Sequence, residues 1–204
     1  MKKSVESIGR LKSNNKGYTL IELLIVIAMI VALTSLGTGG FVTLSHARAN
    51  KAANSLDSLI AQSKVNALSG QENYLIVRYD DEADCYVPGL HSVTKDQVTG
   101  SETISDTPYD SVELGNDLLT IEMEVYSGSS LTRKAVTGKG ESNKSGIIMR
   151  FNEKTGKLDK CYLSYNGAEE STASVVKIYV SFGSSHIIEI YKLTGEHHIV
   201  GQDT

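Results

Sequence analysis

The sequence predicts an α+β fold in which a long N-terminal helix packs on an antiparallel β-sheet domain. Apolar and small residues recur at three- and four-residue spacing until Ser69-Gly70 ends the helical pattern. After Gly70, short apolar stretches alternate with polar residues between turn signals, as in antiparallel strands. The 204 residues suffice for one helix and one globular domain.

The first half of the predicted helix has the composition of a membrane span. From Tyr18 to Leu36, every residue except Glu22 is apolar, small or hydroxylic. At about 1.5 Å per residue this run extends roughly 28 Å, close to the roughly 30 Å hydrocarbon core of a bilayer. We therefore expect residues 18–36 to be the transmembrane half of the helix.

Basic residues precede this run. Met1–Gly17 contains five basic residues and a single acid, and positive charge beside an apolar helix favours the cytoplasmic side. A secretory signal has its small-residue cleavage site after the apolar core, whereas here the junction-like residue, Gly17, comes before it. The order predicts a leader, residues 1–17, and an extracytoplasmic C-terminal part.

Glu22 is the one acidic residue of the run and needs a partner. A carboxylate in a membrane helix costs on the order of 2.5–3.5 kcal/mol at the helix centre and less near an end. One alternative is that Glu22 reaches the headgroups of a plain signal-anchor helix.

The segment resembles the class III signal of type IV prepilins and pseudopilins through Gly17-Tyr18-Thr19-Leu20-Ile21-Glu22 and the apolar residues that follow. The resemblance implies a pilin-like fold, cleavage between Gly17 and Tyr18 by a prepilin peptidase, N-methylation of Tyr18, and assembly through Glu22. The new α-amino group of one subunit could then pair with Glu22 of a neighbour. Charges about 4 Å apart attract by about 4 kcal/mol at an effective dielectric near 20, before desolvation.

Three glycines, Gly37, Gly39 and Gly40, follow the apolar run. Glycine in a helix interior costs about 1 kcal/mol relative to alanine. The resemblance implies that this stretch loses helical structure when subunits pack, so we predict a helix hinge; the alternative is a simple bend. Residues 37–69 would be the hinge and the amphipathic half of the helix, and its predicted buried stripe is Phe41, Leu44, Ala52, Leu56, Leu59, Ile60, Ser63 and Ala67.

Residues 70–204 are predicted to form the antiparallel β domain. We expect exposed loops at His91–Asn116 and Ser127–Ser145. The segments around Tyr74–Asp80, Gly146–Asn152 and Ile190–Ile199 are similar to the minor pseudopilin H / FimT-type group. That similarity implies two β-sheets against the helix and a minor subunit.

Charge and cysteine content limit the partners. Without residues 1–17 the chain loses five of its 20 basic and one of its 24 acidic residues, which leaves a net charge of −8. No Lys/Arg cluster is visible, which argues against nucleic-acid binding, although some FimT-type proteins bind DNA. Cys85 and Cys161 form a disulfide or remain two separate buried thiols.

The sequence contains no recognisable catalytic motif. It lacks G-x-S-x-G, phosphate-loop and H-E-x-x-H patterns, so we expect neither an enzyme nor a cofactor or metal site.

The expected function is that of a structural, minor subunit of a type IV pilus, a type II secretion pseudopilus or a competence pilus. Its partners would be the prepilin peptidase, other pilin or pseudopilin subunits, and the inner or cytoplasmic membrane. It would begin as a single-pass membrane protein with a cytoplasmic N-terminus and end in an extracellular or periplasmic filament. The alternatives are a pilus-tip module that binds DNA or a surface, and an unprocessed membrane-anchored surface domain.

Overall fold

A computed structural model describes most of the chain. The described residues are 18–97, 99–115, 118–127, 130–136, 146–163, 169–170 and 174–201. Side chains are described for these residues except 35–42, 126, 127, 130, 169 and 170. The predicted leader, residues 1–17, lies outside the described residues, and with it one side of the predicted cleavage site.

The described part contains one helix and twelve strands. The helix α1 is Leu20–Leu68. The strands are β1 (Asn73–Asp80), β2 (Cys85–Lys95), β3 (Glu102–Ile104), β4 (Asp110–Ser111), β5 (Thr120–Ser127), β6 (Ser130–Ala135), β7 (Ile147–Phe151), β8 (Leu158–Leu163), β9 (Glu169–Glu170), β10 (Val175–Ser181), β11 (Ser185–Tyr191) and β12 (His197–Val200).

The strands form two antiparallel sheets. The seven-stranded sheet has the order β3-β2-β1-β7-β8-β9, with β4 also paired to β2. The five-stranded sheet has the order β12-β11-β10-β5-β6. The predicted α+β class with antiparallel sheets is therefore confirmed. The chain divides into two compact units, Met1–Phe41 and Val42–Thr204, and both sheets belong to the second unit.

One stripe of α1 is buried in the core of the second unit. The stripe consists of Ala49, Ala52, Ala53, Leu56, Leu59, Ile60, Ser63 and Ala67. Its apolar members share a single cluster with inward-facing residues of both sheets, such as Leu75 and Ile178. The predicted stripe is correct from Ala52 onward, but Leu44 is 48% exposed. Small side chains at Ala49 and Ala53 let the helix approach the sheets closely.

Both segments predicted to be loops contain strands. Strand β2 pairs with β1 from Asp80↔Cys85 to Asn73↔Ser92 and continues to Lys95 by pairing with β3. The short strands β3 and β4 follow it, and β6 lies within the second predicted loop. Strands β3 and β6 are at sheet edges, where polar side chains face water. Their sequences therefore lack the alternation that marks a half-buried strand.

The two cysteines are not disulfide-bonded. Cys85 begins β2 and Cys161 lies in β8, with β1 and β7 between these strands. Three strand steps of about 4.8 Å separate them by roughly 14 Å, whereas a disulfide joins Cα atoms about 4.4–6.8 Å apart. The structure thus has the alternative of two separate buried thiols, and the candidate disulfide is corrected. Burial raises the pKa of Cys85.

Two turns, residues 153–156 and 192–195, meet at one corner of the second unit. A backbone hydrogen bond of 3.1 Å links the start of β8 to the residue after β11, and so joins the two sheets. Lys64 of α1 donates from Nζ to the carbonyl oxygens of residues 194 and 195, both at 3.1 Å. Gly195 has φ +62°, and a Cβ there would overlap the carbonyl of Gly156. Helix and both sheets are therefore fixed at this corner.

An ion cluster covers part of the outer face of the seven-stranded sheet. Its members are Glu72, Tyr74, Lys95, Glu102, Arg150 and Lys160. Arg150 is 8% exposed. Its Nη1 donates to both carboxylate oxygens of Glu102, at 2.7 and 2.8 Å, and its Nη2 donates to Glu72 at 3.4 Å. Arg150 lowers the pKa of Glu102, so this side-chain contact links β7 to β3 across the two strands between them while Glu102 is ionised.

Replacing Arg150 with alanine removes the main donor to Glu102. We expect Arg150→Ala to lower the free energy of unfolding by about 2 kcal/mol, because Glu102 loses its closest charged donor and keeps Tyr74 and the more distant Lys160. Chemical denaturation in mild detergent measures this loss. Lys157→Ala, at an exposed turn position, is the matched control and should change stability by less than about 0.5 kcal/mol. Equal stability of the two variants would contradict the role of Arg150.

Candidate functional site

Thr19 and Glu22 close the N-terminal end of α1. The backbone N–H and the hydroxyl of Thr19 donate to Oε2 of Glu22, at 2.9 and 3.0 Å. In return, the backbone N–H of Glu22 donates to Oγ1 of Thr19 at 3.3 Å. This reciprocal arrangement is a capping box, which satisfies N–H groups that have no partner inside the helix. Glu22 therefore has a partner within its own chain.

Thr19 is a site residue that was not predicted, although the sequence carries a signal for it. Thr followed three residues later by Glu, directly before an apolar run, is the pattern of a capping box. The partners expected for Glu22 from the sequence are a neighbouring subunit or lipid headgroups. The capping box is a third environment for the same carboxylate.

The capping box leaves Glu22 accessible to a further partner. The residue is exposed, and both Thr19 bonds end on Oε2, so neither of them uses Oε1. The carboxylate also lies at the positive end of the α1 dipole, which stabilises its ionised form. A cation arriving from outside the chain could bind Glu22 without breaking the box.

The helix segment that follows exposes apolar side chains on every side. All residues from Tyr18 to Thr34 are exposed. The large apolar ones are Leu20, Ile21, Leu23, Leu24, Ile25, Val26, Ile27, Met29, Ile30, Val31 and Leu33, between 46% and 81% exposed. A helix that is apolar all round belongs in a protein core or a bilayer. We therefore expect lipid or another protein chain to bury this apolar surface.

The predicted membrane span, residues 18–36, is not confirmed. Within the described residues, no helix is both long enough and apolar enough to cross a membrane.

The three glycines of the predicted hinge lie inside α1, which is helical through Gly37, Gly39 and Gly40. The boundary between the two compact units, after Phe41, follows them directly. The predicted loss of helical structure concerns a packed filament, which a single chain does not test. The hinge therefore stays a prediction.

Among the described residues of the second unit, the histidines and serines show no catalytic arrangement. Ser184 lies in the turn between β10 and β11. His197 and His198 point to opposite sides of β12: Nε2 of the first is 3.7 Å from Asp57 of α1, and Nε2 of the second is 3.8 Å from Glu189. Among the described residues, no group of three or more His, Cys, Asp or Glu side chains is placed to hold a metal ion.

Comparison with known proteins identifies the N-terminal part of the chain. Residues 12–38 match the family described as the prokaryotic N-terminal methylation motif. The match includes Gly17, Tyr18 and Glu22, so the chain carries a type IV prepilin-like signal. No curated protein and no solved structure gives a match. The similarity to the pseudopilin H / FimT-type group is therefore not confirmed.

Removing the Thr19 hydroxyl should loosen the start of α1. We expect Thr19→Ala to cost about 1 kcal/mol of local stability, which corresponds to roughly fivefold faster amide exchange at residues 20–23. Hydrogen exchange of the chain in detergent micelles measures this. Thr34→Ala is the control, because Oγ1 of Thr34 bonds Ile30 and Val31 carbonyls in the helix interior. Unchanged exchange at residues 20–23 in Thr19→Ala would argue against the capping box.

Proposed function

We propose that this chain is a structural, minor subunit of a type IV pilin-like filament, assembled after its leader is removed. The observation that carries the proposal is the combination, inside the matched motif, of an all-round apolar helix surface and one accessible carboxylate, Glu22. Proteins with this motif are structural rather than enzymatic. Whether the filament serves adhesion, secretion or DNA uptake is a further distinction that the proposal leaves open.

The proposed processing step changes the charge next to Glu22. Hydrolysis of the Gly17–Tyr18 amide bond would add one water, leaving a carboxylate on Gly17 and an α-ammonium group on Tyr18. After loss of one proton, that nitrogen would take a methyl group from a methylsulfonium donor, which leaves as a thioether. An α-amino group has an ordinary pKa of about 7.7–8.0 and is largely charged at neutral pH. Tyr18 is 88% exposed, so this cation would be available to a neighbouring subunit.

Desolvation decides how much an intersubunit ion pair at Glu22 would add to capping. In the single chain the carboxylate is exposed, and water screens an ion pair there. Between packed apolar helices the same charge would lose its water and would need the cation of a neighbour. Because the ammonium group would be supplied by a neighbour, the pair forms only on assembly and sets the register between subunits. The box would hold the carboxylate in place until then.

The proposal places residues 18–36 in the cytoplasmic membrane before assembly. The exposed apolar side chains support this location, and the five basic residues of Met1–Gly17 favour a cytoplasmic N-terminus. In the filament, the same side chains would pack against those of neighbouring subunits. The second unit, Val42–Thr204, would then supply lateral contacts on the outside.

The proposal predicts that Glu22 and Thr19 have separable roles. We expect Glu22→Ala to be cleaved at the leader but to fall more than about tenfold in the sheared filament fraction, since each 1.4 kcal/mol of lost pairing is a factor of ten. Thr19→Ala should stay close to wild type in that fraction. Quantitative immunoblots of sheared and membrane fractions measure both variants.

Two outcomes would contradict the proposal. If Glu22→Ala enters the sheared fraction as well as the wild type does, the carboxylate does not register subunits. If the wild-type chain stays wholly in the membrane fraction of cells that make filaments, it is an anchored surface domain instead of a filament subunit.

A further inference from the structure

The tip of the β10–β11 hairpin rests on α1 at the start of the second unit. The hairpin closes at the pair Ser181↔Ser185. Its tip residue Gly183 has φ +69°, and a Cβ there would lie 3.1 Å from Oγ of Ser45, which is 4% exposed. Next to this contact, the Arg48 guanidinium lies 5.5 Å from the centre of the Phe182 ring. The tip is thus seated on one turn of α1.

Two polar atoms of the hairpin are buried without a hydrogen-bond partner. They are Oγ of Ser184 at the tip and Nε2 of His186, which lies in β11 opposite Val180. Buried polar atoms in folded proteins are nearly always paired, so each exception needs an explanation. A neutral imidazole tolerates such a place better than a charged one, because burying an unpaired charge costs far more than burying an unpaired dipole.

The surroundings of His186 oppose its protonation. His46 of α1 is the titratable group that acts on His186, and the residue opposite His186 on β10 is Val180. Arg48 of α1 lies over the ring of Phe182, on the same hairpin. Burial lowers the pKa of His186, and His46 lowers it further. In the released state the histidine would regain its ordinary pKa of about 6.5.

We propose that this contact is an acid-sensitive latch, in which a neutral His186 seats the hairpin tip on α1 and a protonated His186 releases it. The released part of α1 would be the turn around Ser45–Arg48, close behind the glycine stretch. Because the released state binds the proton more readily, the latch is stable above about pH 6.5 and weakens as the pH falls below that value. Its use in assembly rests on the proposed function, but the latch itself is a property of the single chain.

Hydrogen exchange of the full chain in detergent micelles tests the latch between about pH 7.5 and pH 5. After correction for the intrinsic exchange rate, opening of residues 43–50 and 180–188 should increase as the pH falls, by up to about tenfold per pH unit for one linked proton. His186→Gln, which remains polar and cannot be charged, should remove this dependence. His198→Gln changes a 52% exposed side chain on the outer face of β12 and should keep it.

A pH response that persists in His186→Gln would overturn the proposal. Burial also lowers the pKa of His91, so we expect a second pH-dependent increase in exchange, in β2. Peptides from β2 report this response separately from peptides that cover residues 43–50 and 180–188. If His186→Gln does not fold, NMR titration of the His186 ring in the wild-type chain tests the latch instead. A ring pKa at or above about 6.5 would then rule out the latch. A chain that latches but never enters filaments would overturn the proposed function alone.

Discussion

The structure depends on one helix that meets two different kinds of surroundings. Residues up to Thr34 expose apolar side chains on all sides, whereas from Ala49 onward α1 buries a single stripe against two sheets. The stripe from Ala49 onward is buried within one chain. The apolar side chains up to Thr34 are not buried, and the free energy of removing them from water is the main driving force available for association with lipid or with other subunits. The three glycines lie between these two regions.

In the proposed filament, Glu22 would add a register to this non-directional driving force. Apolar contact alone allows one helix to slide along another, because neighbouring positions offer similar surfaces. A single carboxylate in an otherwise uncharged segment penalises every register that leaves it without a cation. Its capping bonds with Thr19 keep the side chain ordered in the isolated chain. The second unit is held by the shared core, the Lys64 corner and the Arg150 cluster.

The sequence predicted those parts of the structure in which local pattern and burial coincide. The α+β class, the end of α1 at Leu68 and most of the buried stripe follow from helical spacing and from the Ser69-Gly70 stop. Edge strands such as β3 and β6 were missed because water, rather than a core, faces their side chains. The Arg150 cluster and the seat of His186 join residues far apart in the chain, so no local pattern marks them. The capping box was readable but overlooked.

We infer that the methylation motif of this chain is processed, so that Tyr18 becomes the charged N-terminus near Glu22. Intact mass and N-terminal sequencing of the protein recovered from its native cell envelope distinguish the processed from the unprocessed chain. Processing yields a chain that begins at Tyr18 and is heavier by one methyl group than the unmodified cleaved chain. A chain that retains Met1–Gly17 would contradict this inference and would leave the Thr19 capping box as the sole partner assigned to Glu22.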